Sequence, residues 1–234
     1  DTSYKIELLA KIKERFYVLN STEFNTEVGE IFGIGSIQDW LKIQPNGNYV
    51  VYSDLDFTGV GNEYKFGGSN MAFNGTIDFG GYTVTRNQSP ANFIYQTSSG
   101  AVLKNIVLDV KINSSSAVSN FYPFVYSNRG TISNAMFNLV ECTPNSNNYV
   151  TLCSYSNGGI IENFIVPLYC SRVVGGLALY GGGTYRNGYI IGEDVQAIFN
   201  MSNSQYRCTG ALIYDLERNG LLQNVYSLVN VTCS

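Results

Sequence analysis

The sequence predicts an all-β chain, and three observations carry that prediction. Gly, Asn, Ser and Tyr are abundant while charged residues make up only 14%. Gly and Asn accept left-handed backbone at tight turns, and Tyr and β-branched residues favour strands. From residue 48 onward the apolar stretches are short, bounded by turn residues and without a helical period. Finally, a phrase that runs from Gly through apolar residues to Asn recurs at intervals characteristic of structural repeats.

Residues 1–47 differ from the rest of the chain. Ile6, Leu9, Ile12 and Phe16 fall near helical spacing, which predicts an amphipathic helix over 4–16, although Tyr4, Ile6 and Leu8 also fit a strand. A second short helix is expected after Ser36, with Ser36 as N-cap, Asp39 closing a capping box, and Trp40 and Leu41 as its buried face. A stack of strands leaves an exposed core at its first layer, and such edges invite aggregation. Segment 1–47, Trp40 included, is therefore expected to cap the strands of 48–234.

The strands begin after Pro45–Asn48 with Tyr49–Phe57, followed by Phe73–Val84, where Gly75, Gly80 and Gly81 mark sharp corners. Then the phrase recurs as Gly100–Asn105, Gly130–Asn134, Gly159–Asn163, Gly183–Asn187 and Gly220–Asn224, the first being one residue longer. Its Asn residues are separated by 29, 29, 24 and 37 positions. Two residues before each Asn stand Leu103, Ile132, Ile161, Tyr185 and Leu222. Three after stand Leu108, Phe137, Val166 and Ile190, with Ser227 breaking the pattern. Further upstream lie Phe93–Tyr95, Phe124–Tyr126, Leu152–Tyr155, Leu177–Leu179 and Ala211–Tyr214.

Such intervals are too short for propeller blades of about 40 residues. A parallel β-helix, by contrast, lets insertions of variable length leave at one corner without disturbing the stack. The prediction is a right-handed single-stranded parallel β-helix, a solenoid with a short N-terminal helical cap. In it Asn105, Asn134, Asn163, Asn187 and Asn224 form a structural ladder, each bent inward to hydrogen-bond to its turn and to the next Asn. Tyr126 and Tyr155, each eight residues before its Asn, are expected to stack in the same way.

Composition also excludes several functions. There is no histidine, which removes Ser–His and Cys–His nucleophile pairs and His-ligated zinc or iron. Cys142, Cys153, Cys170, Cys208 and Cys233 include no CxxC pair; they read as small apolar core residues, with room for one disulfide. No metal or cofactor is expected. The net charge of −4 argues against a nucleic-acid surface, and the lysines between Lys5 and Arg15 are interleaved with Glu7 and Glu14. No run of 18 apolar residues exists, so no membrane insertion is expected. Asp54 and Asp56 alternate along one strand and Asp78 sits in a Gly-rich corner, but Arg86, Arg129, Arg172, Arg186, Arg207 and Arg218 are scattered. No acid, base and cationic clamp converge, so no catalytic residue is assigned.

Three stretches carry a resemblance: SIQDWLKIQPNGNYVVYSDLDF at 36–57, FNGTIDFGGYTV at 73–84 and FVYSNRGTISNAMFNL at 124–139. Together they resemble the GLUG-type β-helix repeats of bacterial surface proteins. Similar repeats occur in adhesin-like proteins and in the non-catalytic N-terminal regions of IgA1-specific zinc metallopeptidases. Phe79 departs from the usual Gly of that pattern and Tyr82 from its common His. The resemblance implies a non-catalytic module, secreted or at the bacterial cell wall, that binds a host protein or glycan alongside other domains of its parent chain. The alternatives are an accessory or scaffold domain of a surface zinc metallopeptidase, whose two motif histidines are absent here, and a polysaccharide-acting β-helix enzyme. Candidate binding residues are Tyr185, Tyr189 and Tyr206, near the insertion Ile191–Thr209, as platforms for sugar stacking. The chain is expected to continue beyond Ser234.

Overall fold

The computed structural model describes residues 2–12, 15–26, 30–87, 92–112, 122–142, 153–156, 158–168, 177–192, 195–197, 213–215, 218–228 and 231–233. These residues are mostly strand with almost no helix, an all-β fold built on parallel sheet. By its contacts the chain divides into two compact units, Asp1–Ile31 and Phe32–Ser234.

The first unit is an antiparallel hairpin of β1 (Thr2–Ile12) and β2 (Arg15–Thr26), with a register shift between Leu8 and Leu9. The helix expected over 4–16 is not formed. Tyr4, Ile6 and Leu8 pair with Phe24, Thr22 and Asn20, so the alternating pattern wins over the helical one. The reason lies in the partner: residues 16–24 are rich in aromatic, Val and Thr residues, and pairing with a strong strand former overrides a weak helix preference.

The second unit opens with β3 (Ile31–Ile34) and the single-turn helix α1 (Ile37–Trp40). Ser36 caps α1: its Oγ accepts from the Asp39 N–H, while the Asp39 carboxylate accepts from Ser36 Oγ and from the Gly35 N–H. The inward face of this turn carries Ile37, half-buried against the core, and Trp40, fully buried. Leu41, expected beside it in the core, is exposed, and Ile43 is buried in its place once the chain has turned. The indole stacks on Phe93 with ring centres 3.8 Å apart, meets Phe57 edge-on, and donates from Nε1 to the Tyr64 carbonyl.

The strands then follow as β4 (Asn48–Val51), β5 (Leu55–Asp56), β6 (Thr76–Asp78), β7 (Thr83–Arg86), β8 (Ile94–Gln96), β9 (Val102–Ile112), β10 (Val125–Asn128), β11 (Thr131–Cys142), β12 (Cys153–Ser156), β13 (Ile160–Leu168), β14 (Ala178–Gly181), β15 (Thr184–Gly192), β16 (Val195–Ala197), β17 (Ile213–Asp215), β18 (Leu221–Ser227) and β19 (Val231–Cys233). A long sheet runs β18-β15-β13-β11-β9-β6-β4-β3, with β7 also on β9 and β5 on β7. A shorter one runs β17-β14-β12-β10-β8, and β16 pairs with β19. Among the described residues, the named strands from β4 to β19 pair in parallel. Each repeat thus gives one strand to the short sheet and the next to the long sheet, and each strand pairs with its counterpart in the following repeat.

The core is a set of columns. Leu103, Ile132, Ile161 and Tyr185 occupy one register position and are fully buried, as are Phe93, Phe124 and Leu177 beneath the short sheet. Each large side chain removed from water contributes about 1.5–3 kcal/mol. Gly75 is required by a close approach: a Cβ there would lie 1.9 Å from the Gly47 carbonyl oxygen. Gly80, at φ +61, takes the left-handed corner between β6 and β7.

Candidate functional site

The outward face of the long sheet is organised by the repeated Asn. Asn105, Asn134, Asn163, Asn187 and Asn224 all have left-handed backbone, with φ between 51 and 57. Asn tolerates this region better than other non-Gly residues because its short amide can hydrogen-bond locally. The bend is used to turn the strand: β9 pairs with β6 before Asn105 and with β7 after it. Asn105 therefore does within a continuous strand what the separate β6–β7 corner does one repeat earlier.

The structure brings the five Asn side chains into one row. Each Nδ2 donates to the Oδ1 of the preceding Asn, at 3.0 Å for Asn134 to Asn105, 3.1 Å for Asn163 to Asn134, 3.3 Å for Asn187 to Asn163 and 3.2 Å for Asn224 to Asn187. Asn105 donates to Asp78 Oδ1 at 2.8 Å. Asp78 also accepts from the Gly80 N–H and pairs with Lys104 at 3.2 Å. Burial works against its charge, but Asn105, the Gly80 N–H and Lys104 together outweigh it and hold its pKa below the ordinary carboxylate value.

The row is not bent inward as expected. Asn134, Asn163, Asn187 and Asn224 are exposed. The left-handed residue resets the alternation: Ile132 and Ala135 face the core, so Ser133 and Asn134 both face out. This reset creates a second outward row two residues beyond each Asn: Val107, Met136, Ile165, Tyr189 and Tyr226, in continuous register. Its last four members are exposed apolar side chains. On the other side of the amides, Arg186 holds Glu162 through both Nε and Nη2.

No family model, curated protein or solved structure matches the chain. The site must therefore be judged on its own chemistry.

The three tyrosines singled out from sequence part company. Tyr189 is 49% exposed and stacks on Tyr226, with centres 5.5 Å apart and planes 21° from parallel. Tyr185 is fully buried, a correction with a simple cause: it holds the register position of Ile161 in the core column. Tyr206 lies outside the described residues. Tyr226 is not among the three, yet aligning on Asn and reading two residues on finds it with Met136 and Ile165. Tyr126 stacks on Tyr95 at 4.9 Å. The backbone of Tyr155 pairs in register with Ser127 and Tyr180, and its side chain lies outside the described residues. The turn before Ile160 has one residue more than the turn before Thr131, which breaks the count back from Asn.

Three further aspartates are engaged in hydrogen bonds. Asp54 accepts from the Thr83 N–H, Asp56 from the Thr58 N–H and Asp109 from Asn138. Among the described residues no group of three or more His, Cys, Asp or Glu side chains is placed to hold a metal ion. Cys153 is buried, and burial pushes its thiol up to about 12, which leaves it unreactive. Arg86 is buried as well; desolvation lowers its pKa to about 9, its Nη1 donates to the Pro123 carbonyl at 2.6 Å, and its guanidinium lies over Phe93. A cleft of about 390 Å³ lies between Phe32, Ile34, Asp39, Lys42 and Tyr49, but Asp39 and Lys42 are spent on each other at 2.9 Å.

Proposed function

We propose that this chain is part of a right-handed parallel β-helix serving as a non-catalytic binding module of a secreted or cell-surface bacterial protein. The observation that carries the reading is the unbroken outward row Met136, Ile165, Tyr189 and Tyr226, an exposed apolar stripe beside the amide row. Exposed apolar patches in register mark contact surfaces more often than they mark accident. Alternation of short and long sheet strands, with partners one repeat away, supports the β-helix. Engagement of Asp54, Asp56, Asp78 and Asp109 in hydrogen bonds to backbone and amide groups supports a role other than catalysis.

Between the two ligand classes, the tyrosine geometry favours a host protein. Sugars stack on ring faces, and Tyr189 has one face against Tyr226. What this row offers is mostly ring edges and aliphatic groups, which suit a flat protein contact.

The test is retention of the chain on arrays of host extracellular proteins and of glycans. The triple variant Met136→Ser, Ile165→Ser, Tyr189→Ser serves as control, with circular dichroism to establish that it folds. Retention on a protein, reduced at least about tenfold in the variant, is the expected result, since central apolar and aromatic contacts dominate such interfaces. Retention on glycans alone would replace the ligand class. No retention on either array would leave a spacer role, and depolymerisation of a polysaccharide would establish an enzyme.

A further inference from the structure

Tyr52 differs from the exposed tyrosines of the outward row in what lies beneath its ring. It stands in the corner after β4, and its side chain runs across β3 at Gly33 and Gly35. A Cβ at Gly33 would come within 2.8 Å of the Tyr52 Cε1, and one at Gly35 closer still to its Cε2, Cζ and hydroxyl. Two residues without side chains thus form the seat of the ring. The ring is nevertheless 58% exposed, and no other ring stacks on it among the described residues. One side rests on backbone and the other meets water, whereas Tyr189 gives a face to Tyr226. Polar groups border the platform. Ser53 donates its hydroxyl to the Gly35 carbonyl, which ties the corner to β3. Asp54, exposed, accepts from the Thr83 N–H through Oδ1, and its Oδ2 has no protein partner among the described residues.

We propose that Tyr52 and Asp54 form a binding site for a neutral pyranose of a glycan. The C–H face of the sugar lies on the open ring face, which is electron-rich, and Asp54 accepts from a sugar hydroxyl. Gly33 and Gly35 are positioning residues: they touch no sugar, but any side chain there would lift the ring from its seat. An organic cation also favours ring faces, but such ligands are held in cages of several faces. Here one face stands alone, since the neighbouring exposed ring, Tyr82, lies over Gly80 and makes no ring contact with Tyr52. The site is separate from the Met136–Tyr226 row and goes beyond the host-protein reading.

The test is saturation-transfer NMR on the full chain, with the methyl pyranosides of glucose, galactose, mannose and N-acetylglucosamine as probes. The expected result is transfer to the C–H protons of at least one probe. For that probe Tyr52→Ala abolishes the transfer and Tyr52→Phe, which keeps the ring, retains it. Asp54→Ala weakens binding about fivefold, the worth of one net hydrogen bond. Gly35→Ala, whose methyl enters the seat of the ring, loses binding although it lies beneath the platform. Circular dichroism establishes that each variant folds. The triple variant at Met136, Ile165 and Tyr189 should bind the sugar as the unaltered chain does, and Tyr52→Ala should keep retention on host proteins, so the two readings fail separately. Absence of transfer to every probe overturns the proposal, as does transfer that survives in Tyr52→Ala. Binding of tetramethylammonium that depends on Tyr52, without binding of any pyranoside, would assign the platform to a cation and overturn it too.

Discussion

Two regions of the long sheet are made from similar residues but meet different surroundings. Around β4, Trp40 lies on Phe93 and Phe57, Ile43 is drawn into the core, and Asp78 closes the amide row. At β18, Leu222 is 45% exposed and Asn224 is exposed beside it. Leu103 and Leu222 are the same residue at the same register, yet one is fully buried and the other nearly half exposed. What a side chain contributes here is set by the neighbouring repeat rather than by its own identity or that of its strand, so stability is a sum of contacts between adjacent repeats.

That contrast can be broken experimentally, most severely at Phe93. Phe93→Ala removes the ring that Trp40 stacks on and that Phe57 and Arg86 contact, and should cost about 3–5 kcal/mol in urea unfolding. A loss below about 1 kcal/mol would mean that the β4 end is not sealed by this cluster.

A matched pair sharpens the comparison. Ile132→Ala should cost about 2–5 kcal/mol, as for a core cavity, whereas Leu222→Ala should cost less than about 1 kcal/mol. Equal losses would show that the exposed end is packed in solution. Within the amide row, Asn163→Ala should cost about 1–3 kcal/mol by losing two hydrogen bonds and straining a left-handed position. Asn163→Gly relieves the strain and should recover part of that loss.

The smallest effect expected is acid sensitivity at α1. Lys42, Ser36 and the Gly35 N–H hold the Asp39 pKa down to about 2, against an ordinary value of 3.8. Its folded pKa is the lower one, so its contribution is whole above pH 3.8 and fades as pH falls toward 2. Asp39→Asn should flatten the change in Trp40 fluorescence across that window; an unchanged profile would remove Asp39 from the capping of α1.

Much of this fold is legible in the sequence because its repeat is written in a few residue types with hard requirements. The left-handed bend needs Asn or Gly, the core columns need apolar residues at fixed distances from it, and the Ser36–Asp39 cap has its own signature. What escapes has physical causes. Hairpin 2–26 depends on a partner strand that local periodicity cannot see. Leu41 and Ile43 exchange roles because α1 ends at Trp40, which leaves Leu41 at the C-cap, outside the inward face of Ile37 and Trp40. The outward site is half visible: the residue pattern points to Tyr189, but it misplaces Tyr185 and passes over Tyr226 unless the reset of alternation at Asn is carried through the count. The one extra residue before Ile160 likewise sets the Tyr155 backbone in register with Ser127.

Because every amide in the row gives its proton in the same direction, internal repeats are interchangeable in a way the first cannot be. A duplicated segment bearing Asn at this bend can be spliced between 163 and 187 and find a donor above and an acceptor below. Inverted, it would meet donor with donor. Such a grammar permits lengthening by tandem copying of whole repeats, while fixing the reading direction and reserving the carboxylate for the opening position.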